Sequence, residues 1–517
     1  MYTDFFKSLE SNLYTDTLQS IQYPLNVPPG DITTTHPEMD FRELAPDSNP
    51  EIDTSYLTHT IQKHPATFIP HIPSYLIRTT VGTGTGKTIL DCFSGRGTTG
   101  IESLNAGHNY VGIELNPLSH LISTVATQPI PESVGDELMD NIQTQLQAGL
   151  TETDTVEFPG RTKKSHWFEP SAITALEQLR HLIKTDPIPD NIEVVLTEQE
   201  KQTLTQSDIS YSALRNRCQN ILTLTLANTV FKVSNADPGV SKAYKSPKMK
   251  EAIKDGSHPP DTLTTFEQEC TRVVNSITAF WTRLQDAYTT IPISTVILGD
   301  SRTFELPDEI PDIDLAITSP PYINAINYYR GSKLRLFWIQ DLLPESSLSP
   351  TELRKSIIGS NSSVSQSDVP ETAPTLRSLW NGTDTEYTAT RLPELDETLQ
   401  SIYQGESDTA EKKSVLTQQF FSRDMAQTLA QVQDVLKDTG IFFFVVGDNV
   451  VEKQPVHIHR YVEDIATNLH QFSTTDCTDP YTHIGTAFDT ITNRELFKTR
   501  NHEGGVIECE WIITLQK

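Results

Sequence analysis

Three short apolar runs in this chain each end in an acid. They are Thr88-Ile89-Leu90-Asp91, Tyr110-Val111-Gly112-Ile113-Glu114 and Thr295-Val296-Ile297-Leu298-Gly299-Asp300. Together with a fourth run, Asp314-Leu315-Ala316-Ile317, they read as buried strands of one parallel sheet. Such strands need cover on both faces, so the expected class is α/β, with helices above and below the sheet. Acids at the strand ends would then gather at the carboxyl edge, where open parallel sheets bind their ligands.

The turns after these strands narrow the chemistry. Asp91 leads into Cys92-Phe93-Ser94-Gly95-Arg96-Gly97-Thr98-Thr99-Gly100, in which Gly95 and Gly97 permit tight curvature and close backbone approach to a ligand. A carboxylate at Glu114 can accept both hydroxyls of a ribose, and Asp300 is placed to contact an adenine. The fourth strand runs into Thr318-Ser319-Pro320-Pro321-Tyr322. Its two prolines remove two backbone donors and fix two φ angles, giving a rigid turn with carbonyls open to a ligand. Beside them Tyr322 offers a flat ring. That combination suits a planar group with an exocyclic amine, such as a nucleobase, although a plain Pro-Pro loop would satisfy the turn taken alone.

Asp91 to Thr99 resembles the S-adenosylmethionine motif D-x-F-x-G-x-G-T-T of DNA amino-methyltransferases, and Ser319 to Tyr322 resembles their catalytic S-P-P-Y motif. His64-Pro65-Ala66-Thr67-Phe68-Ile69-Pro70 is similar to the segment that packs on the methionine end of that cofactor, and Gly112 to Pro117 and Gly299 to Arg302 match the second and third cofactor motifs. The resemblance implies a Rossmann-like class I methyltransferase sheet with a mainly helical insertion. It assigns the cofactor S-adenosyl-L-methionine to Thr67, Phe68, Asp91, Phe93, Ser94, Gly95, Gly97, Thr98, Thr99, Glu114, Asp300 and Ser301. Catalysis falls to Ser319, Pro320, Pro321 and Tyr322, and the implied substrate is double-stranded DNA with its target base flipped out. No metal is expected. Serine before Pro-Pro-Tyr leans toward cytosine N4, whereas aspartate or asparagine leans toward adenine N6. An RNA guanine-N2 methyltransferase and a non-catalytic subunit of the same fold are the alternatives. Cytosine C5 chemistry needs a Pro-Cys nucleophile, and none of the five cysteines follows a proline.

The chain has 517 residues and a formal net charge of -28, which works against binding a polyanion unless basic residues are kept at one face. Lys242, Lys245, Lys248 and Lys250 cluster with Lys254, and Arg330, Lys333 and Arg335 follow the Pro-Pro-Tyr turn. These are the candidate DNA contacts. With 36% apolar residues and no apolar run longer than Ile441 to Val446, the chain reads as a soluble protein with no membrane span. No signal peptide or C-x-x-C pair is seen, so the expected compartment is the cytoplasm, with restriction or defence-system proteins as partners.

Along the chain, residues 1–60 read as an irregular arm. Segments 61–130, 291–342 and 415–517 make up the catalytic domain. Residues 131–290 form a helical insertion assigned to DNA recognition, in which Trp167, Phe168 and Trp281 are read as core. Residues 343–414 look like a loop-rich insertion, a lid or a target-recognition element. Phe472 to Thr478 and Val506 to Leu515 are expected to close the sheet as an antiparallel pair. Val81 to Thr88 imitates a phosphate-binding loop, but Val81 stands where that loop requires glycine, and the run precedes a strand instead of following one. It is read as a turn.

Overall fold

The four acid-bearing runs all form strands, and they lie side by side. β1 (Thr88–Asp91), β2 (Asn109–Glu114), β3 (Ser294–Leu298), β4 (Ile313–Thr318) and β5 (Leu436–Val446) pair in parallel. A small ribbon, β6 (Asn449–Val451) with β7 (Gln454–Val456), follows, and then β8 (Thr482–Thr490) and β9 (Cys509–Gln516). The last two join antiparallel, giving a seven-stranded sheet in the order β3-β2-β1-β4-β5-β9-β8. This is the Rossmann-like arrangement that the sequence implied. The computed structural model describes residues 54–62, 68–84, 86–159, 162–185, 187–188, 192–238, 243–323, 328–344, 348–360, 363–380, 382–472, 479–490 and 509–517.

Strand β5 shows how the two faces are covered. Successive side chains on a strand point to opposite faces. Phe442, Phe444 and Val446 therefore join a core with Leu429, Val462 and Ile465, carried by the helices Ala426–Val435 and Ile458–Thr467. Phe443 and Val445 join Leu315, Ile317 and Ile512 against Ile72, Leu76 and Ile77 of the helix His71–Thr80. Phe442 and Phe444 are fully buried, each contributing about 1.5–3 kcal/mol by removal from water. Register then lines up the strand tips, with Asp91 opposite Gly112 and Leu90 opposite Ala316.

The helical insertion is not a separate body. Its helices Pro170–Lys184, Tyr211–Val233 and Thr262–Ala287 share one core with the sheet-packed helix Pro117–Thr127 and with Tyr328–Ile339, which follows the Pro-Pro-Tyr turn. Phe168 and Trp281 are buried and Trp167 packs at the margin, in line with the core reading. Arg180, 1% exposed, ties the insertion to that last helix. It donates to Asp154, to both carboxylate oxygens of Asp341 and to the Trp338 carbonyl.

Two expectations need correction. The 343–414 stretch is not loop-rich throughout. It holds the helices Pro350–Ser356, Asp384–Ala389 and Leu392–Tyr403, and a further helix starts at Ala410. Leu392, Leu395, Leu399 and Ile402 are buried at helical spacing, a pattern hidden by the Ser- and Thr-rich flanks. The closing pair is β8 with β9, so the strand expected at 472–478 is displaced to Thr482–Thr490. Phe472 ends a single helical turn, and residues 473–478 lie outside the described residues. The loop-imitating run before β1 is a turn, with Gly84 N–H bonded to the Ala106 carbonyl and Lys87 paired with Asp314 at 3.2 Å. It sits at the amino end of β1, opposite the ligand edge.

Candidate active site

Asp91 sits at the junction of two strands. Its Oδ1 accepts from the Thr318 hydroxyl at 2.6 Å and the Phe93 N–H at 3.0 Å, and its Oδ2 accepts from the Thr99 hydroxyl at 2.7 Å. Thr318 is the last residue of β4, so this carboxylate locks the turn after β1 to the residue before Ser319. Burial pushes the Asp91 carboxyl up to about 6, against the lowering effect of these three donors. The glycines shape the same turn. Gly97 has φ +84°, and a Cβ there would lie 2.9 Å from Ser123 Oγ. Gly100 and Gly112 make room for the Tyr110 ring, which a Cβ would meet at 2.5 and 2.6 Å. The Tyr110 hydroxyl in turn donates to Ser94 Oγ at 2.8 Å.

Glu114, at the tip of β2, accepts from the Gly95 N–H at 2.8 Å and the Asn116 N–H at 2.7 Å. Burial moves its carboxyl up to about 7. Asn116 caps the next helix by accepting from the Leu118 N–H, while its amide donates to Ser332 at 3.2 Å. Asp300, beyond the tip of β3, is held by Arg302 through Nε at 2.8 Å and Nη2 at 2.6 Å. Both carboxylate oxygens therefore already have a donor, and a ligand amine would have to share one of them. Ser301 is buried, with the Thr428 hydroxyl 3.5 Å away.

A cleft runs along these tips. Asp91, Phe93, Ser94, Gly95, Thr98, Glu114, Asp300 and Ser301 line it, with Phe68, Ile113 and Leu115 as apolar walls, and Ser319 and Pro321 border the same space. Ile357 and Ile358, from the 343–414 stretch, line it as well. Gly359, with φ +69°, abuts the Pro-Pro-Tyr turn, where a Cβ would come within 3.2 Å of the Tyr322 carbonyl. Asn449 donates to the Ile323 carbonyl and steadies the turn from β6. The Tyr322 hydroxyl lies 3.5 Å from Glu510 of β9. Burial and the facing Asp489 raise the Glu510 carboxyl to about 7.

The DNA methylase family profile matches residues 22–123, the stretch that holds the β1 turn and Glu114. That match and the relatives below support an amino-methyltransferase of the N4/N6 family. The Type II methyltransferase M.MvaI of Kocuria varians is 23% identical over 420 residues, covering 77% of this chain and 79% of that one. The Type II methyltransferase M.MjaII of Methanocaldococcus jannaschii is 22% identical over 56% of this chain and 63% of its own length. M.BsoBI of Geobacillus stearothermophilus, a Type II methyltransferase, is 24% identical over 50% and 48%. No solved structure matches.

The likeness to this family implies S-adenosylmethionine as the methyl donor, and the lining of the cleft fits it. Three carboxylates line the cleft, and no lysine or arginine does among the described residues. That donor-poor, acceptor-rich wall suits a ligand with a sulfonium, ribose hydroxyls and an adenine amine. Of the sequence-derived candidates, Gly97 and Thr99 shape the turn from behind, and Thr67 lies outside the described residues, as does Lys242. The helix that carries Arg330 and Lys333 is described, but the Arg330 side chain is not. Lys333 lays its ammonium over the Phe337 ring at 5.4 Å, and burial lowers its affinity for a proton. Arg335 packs its guanidinium on Phe231 at 5.2 Å. Lys248 and Lys250 are exposed and Lys245 half-exposed, at or beside the helix Pro247–Lys254. The residues that sequence reading missed are Asn116, Ile357, Ile358 and Glu510. For Asn116 the Asn-Pro helix start was a usable signal; the others come from distant segments with no local signature. Among the described residues no helix is long and apolar enough to cross a membrane, and no group of three His, Cys, Asp or Glu side chains could hold a metal ion.

Proposed function

We propose that this protein transfers a methyl group from S-adenosylmethionine to the exocyclic N4 amine of a cytosine flipped out of duplex DNA. One observation carries the reading: Ser319 and Pro321 border the same cleft as Asp91, Glu114 and Asp300. Glu114 would hold the ribose hydroxyls, Asp300 and Ser301 the adenine edge, and Phe68 the methionine end. When bound, the cofactor supplies a methyl group already activated on a sulfonium.

The chain's own residues then have to position a weak nucleophile. The lone pair of an aromatic amine is delocalised into the ring. The Ser319 hydroxyl and the Pro320 carbonyl accept hydrogen bonds from the two amine N–H groups, which favours a pyramidal nitrogen with its lone pair exposed. Tyr322 stacks on the base, an interaction worth about 1–3 kcal/mol. Asp91 keeps Ser319 in place through Thr318, and alignment of this kind can account for much of the acceleration. Serine at position 319 supports cytosine over adenine. Lys245, Lys248 and Lys250 are assigned to the DNA backbone, with the acidic remainder of the surface facing solvent. Restriction or host-defence proteins are the assigned partners, after the Type II names of the relatives.

The test is to incubate the protein with duplex DNA and radiolabelled donor, then digest to nucleosides. N4-methylcytosine is expected, and Ser319→Ala/Tyr322→Ala should abolish it. N6-methyladenine as the sole product would overturn the base assignment. Labelling of tRNA but not DNA would overturn the substrate class.

A further inference from the structure

Arg302 stands behind the wall of the cleft. Besides its two-point pair with Asp300, its Nη1 donates to Asp424 at 2.7 Å and its Nη2 to the Ser356 carbonyl at 3.2 Å. Asp424 is 1% exposed and sits in a π-turn, Phe420–Met425. A planar guanidinium can serve these three acceptors together, and a lysine ammonium cannot reproduce the fork. The residues after Ser356 are the ones that matter for the site. Ile357 and Ile358 line the cleft, and Gly359 abuts the Tyr322 carbonyl. An unbroken line of contacts thus joins the acid at the tip of β3 to the turn that would hold the target base.

We propose that Arg302 is a positioning residue that fixes Asp300 and the Ser356–Gly359 strap to each other, so that the cofactor pocket and the target-base turn are set as one unit. The inference rests on the function proposed above. Asp300 is aimed by the fork, and the strap is aimed by the bond to its Ser356 carbonyl. Asp424 anchors the guanidinium from the far side, with Arg423 as its second partner at 2.8 Å. Loosening the fork lets both ends drift at once.

The test uses the full chain with Arg302→Lys, which keeps the charge beside Asp300 and the buried Asp424, and Asp424→Asn, which keeps shape and loosens only the anchor. Cofactor Kd is read by calorimetry, kcat at saturating cofactor on duplex DNA, and Tm in parallel. Arg302→Lys should raise the cofactor Kd about tenfold and also lower kcat at saturation about 10–100-fold, as misplacement by an ångström does. Asp424→Asn should move both in the same directions by less. A rise in Kd with kcat at the wild-type value would overturn the coupling. A fall in Tm and active fraction, with Kd and the remaining kcat unchanged, would reduce Arg302 to a structural residue. The wild-type protein in the same assays separates the two readings. If it binds cofactor and methylates DNA, a flat Arg302→Lys response sinks this inference alone; if it does neither, the proposed function falls and this inference with it.

Discussion

Glu114 draws its donors from Gly95 and Asn116, and Asp300 draws its own from Arg302 two residues on. On the target-base side nothing is so local. Tyr322 meets Glu510 from 188 residues away in sequence, Gly359 from the strap and, through Ile323, Asn449 from β6. A pocket built from strand tips and their own turns can form as soon as the sheet forms. One built from the strap, β6 and β9 needs the whole fold in place. The base half should therefore be the more sensitive to change in remote segments, which the cofactor half meets through Arg302 and its partners Asp424 and Ser356.

Asp91 is the exception that spans both halves, since it holds Thr99 nearby and Thr318 across the sheet. Asp91→Ala should have the largest effect. It leaves the Thr318 and Thr99 hydroxyls without their acceptor in a buried site, while the Phe93 N–H keeps the Thr318 oxygen at 3.1 Å, a loss of about 4 kcal/mol at about 1–3 kcal/mol each. Urea denaturation should show it, and methylation should vanish because Ser319 loses its anchor. An unchanged midpoint would break the claim that β1 and β4 are locked at their tips.

Glu510 tests the base half alone. Its folded-state value of about 7 lies above the ordinary glutamate value of about 4.3. A carboxyl raised on folding contributes stability below the unfolded value and loses it as pH rises through about 7. Glu510→Gln should remove that loss, making the variant more stable than wild type at pH 8 by on the order of 2–3 kcal/mol and no more stable at pH 4. Equal pH profiles for the two proteins would place the carboxyl in water. Methylation should fall in the variant if Tyr322 relies on the contact.

The same contrast explains what could be read in the sequence. The parallel strands, the acids at their tips and the Gly95–Gly97 turn were legible because each is encoded within a few residues. The strand Thr88–Asp91 falls where its apolar run put it. Glu510 and Ile357 carry no local mark, because a buried acid in a strand or an apolar pair after a helix acquires meaning only from what the fold brings beside it. The Leu392–Tyr403 helix was legible in its Leu-Leu-Leu-Ile spacing and was obscured by polar flanks. The edge strand shows the converse, since Phe472 to Thr478 has strand-like composition while it is Thr482–Thr490 that pairs with the last strand at the edge.

Glu114 sharpens the comparison from the cofactor side, with a smaller effect. Its carboxyl, raised to about 7 by burial, must be ionised to accept both ribose hydroxyls fully. Cofactor affinity should rise between pH 6 and 8, while the stability of the cofactor-free protein falls over the same range, because a raised carboxyl costs stability once it ionises. Thermal shifts with and without cofactor would thus diverge with pH. Glu114→Gln should lower affinity about tenfold, flatten that divergence and leave DNA binding untouched. A variant that still diverges would assign the titration elsewhere.

The smallest effect is expected farthest from either half. Lys248 and Lys250 project from the helix Pro247–Lys254, which is capped by Ser246 accepting from the Met249 N–H at 3.2 Å. Neither lysine is engaged in the core, so Lys248→Gln/Lys250→Gln should change stability by no more than about 0.5 kcal/mol. If the helix lies on the DNA backbone, each lost phosphate contact lowers the slope of log affinity against log salt by about 0.9. The double variant should thus lose affinity most at low salt and equally for all sequences, with the methylated site unchanged, because phosphate contacts position without reading bases. A slope equal to that of the wild type would remove this helix from the interface. The half-buried Lys333, whose ammonium lies over the Phe337 ring, would then be the next cation to replace. Its loss should alter kcat as well as the slope, since it stands on the helix that leaves the base pocket.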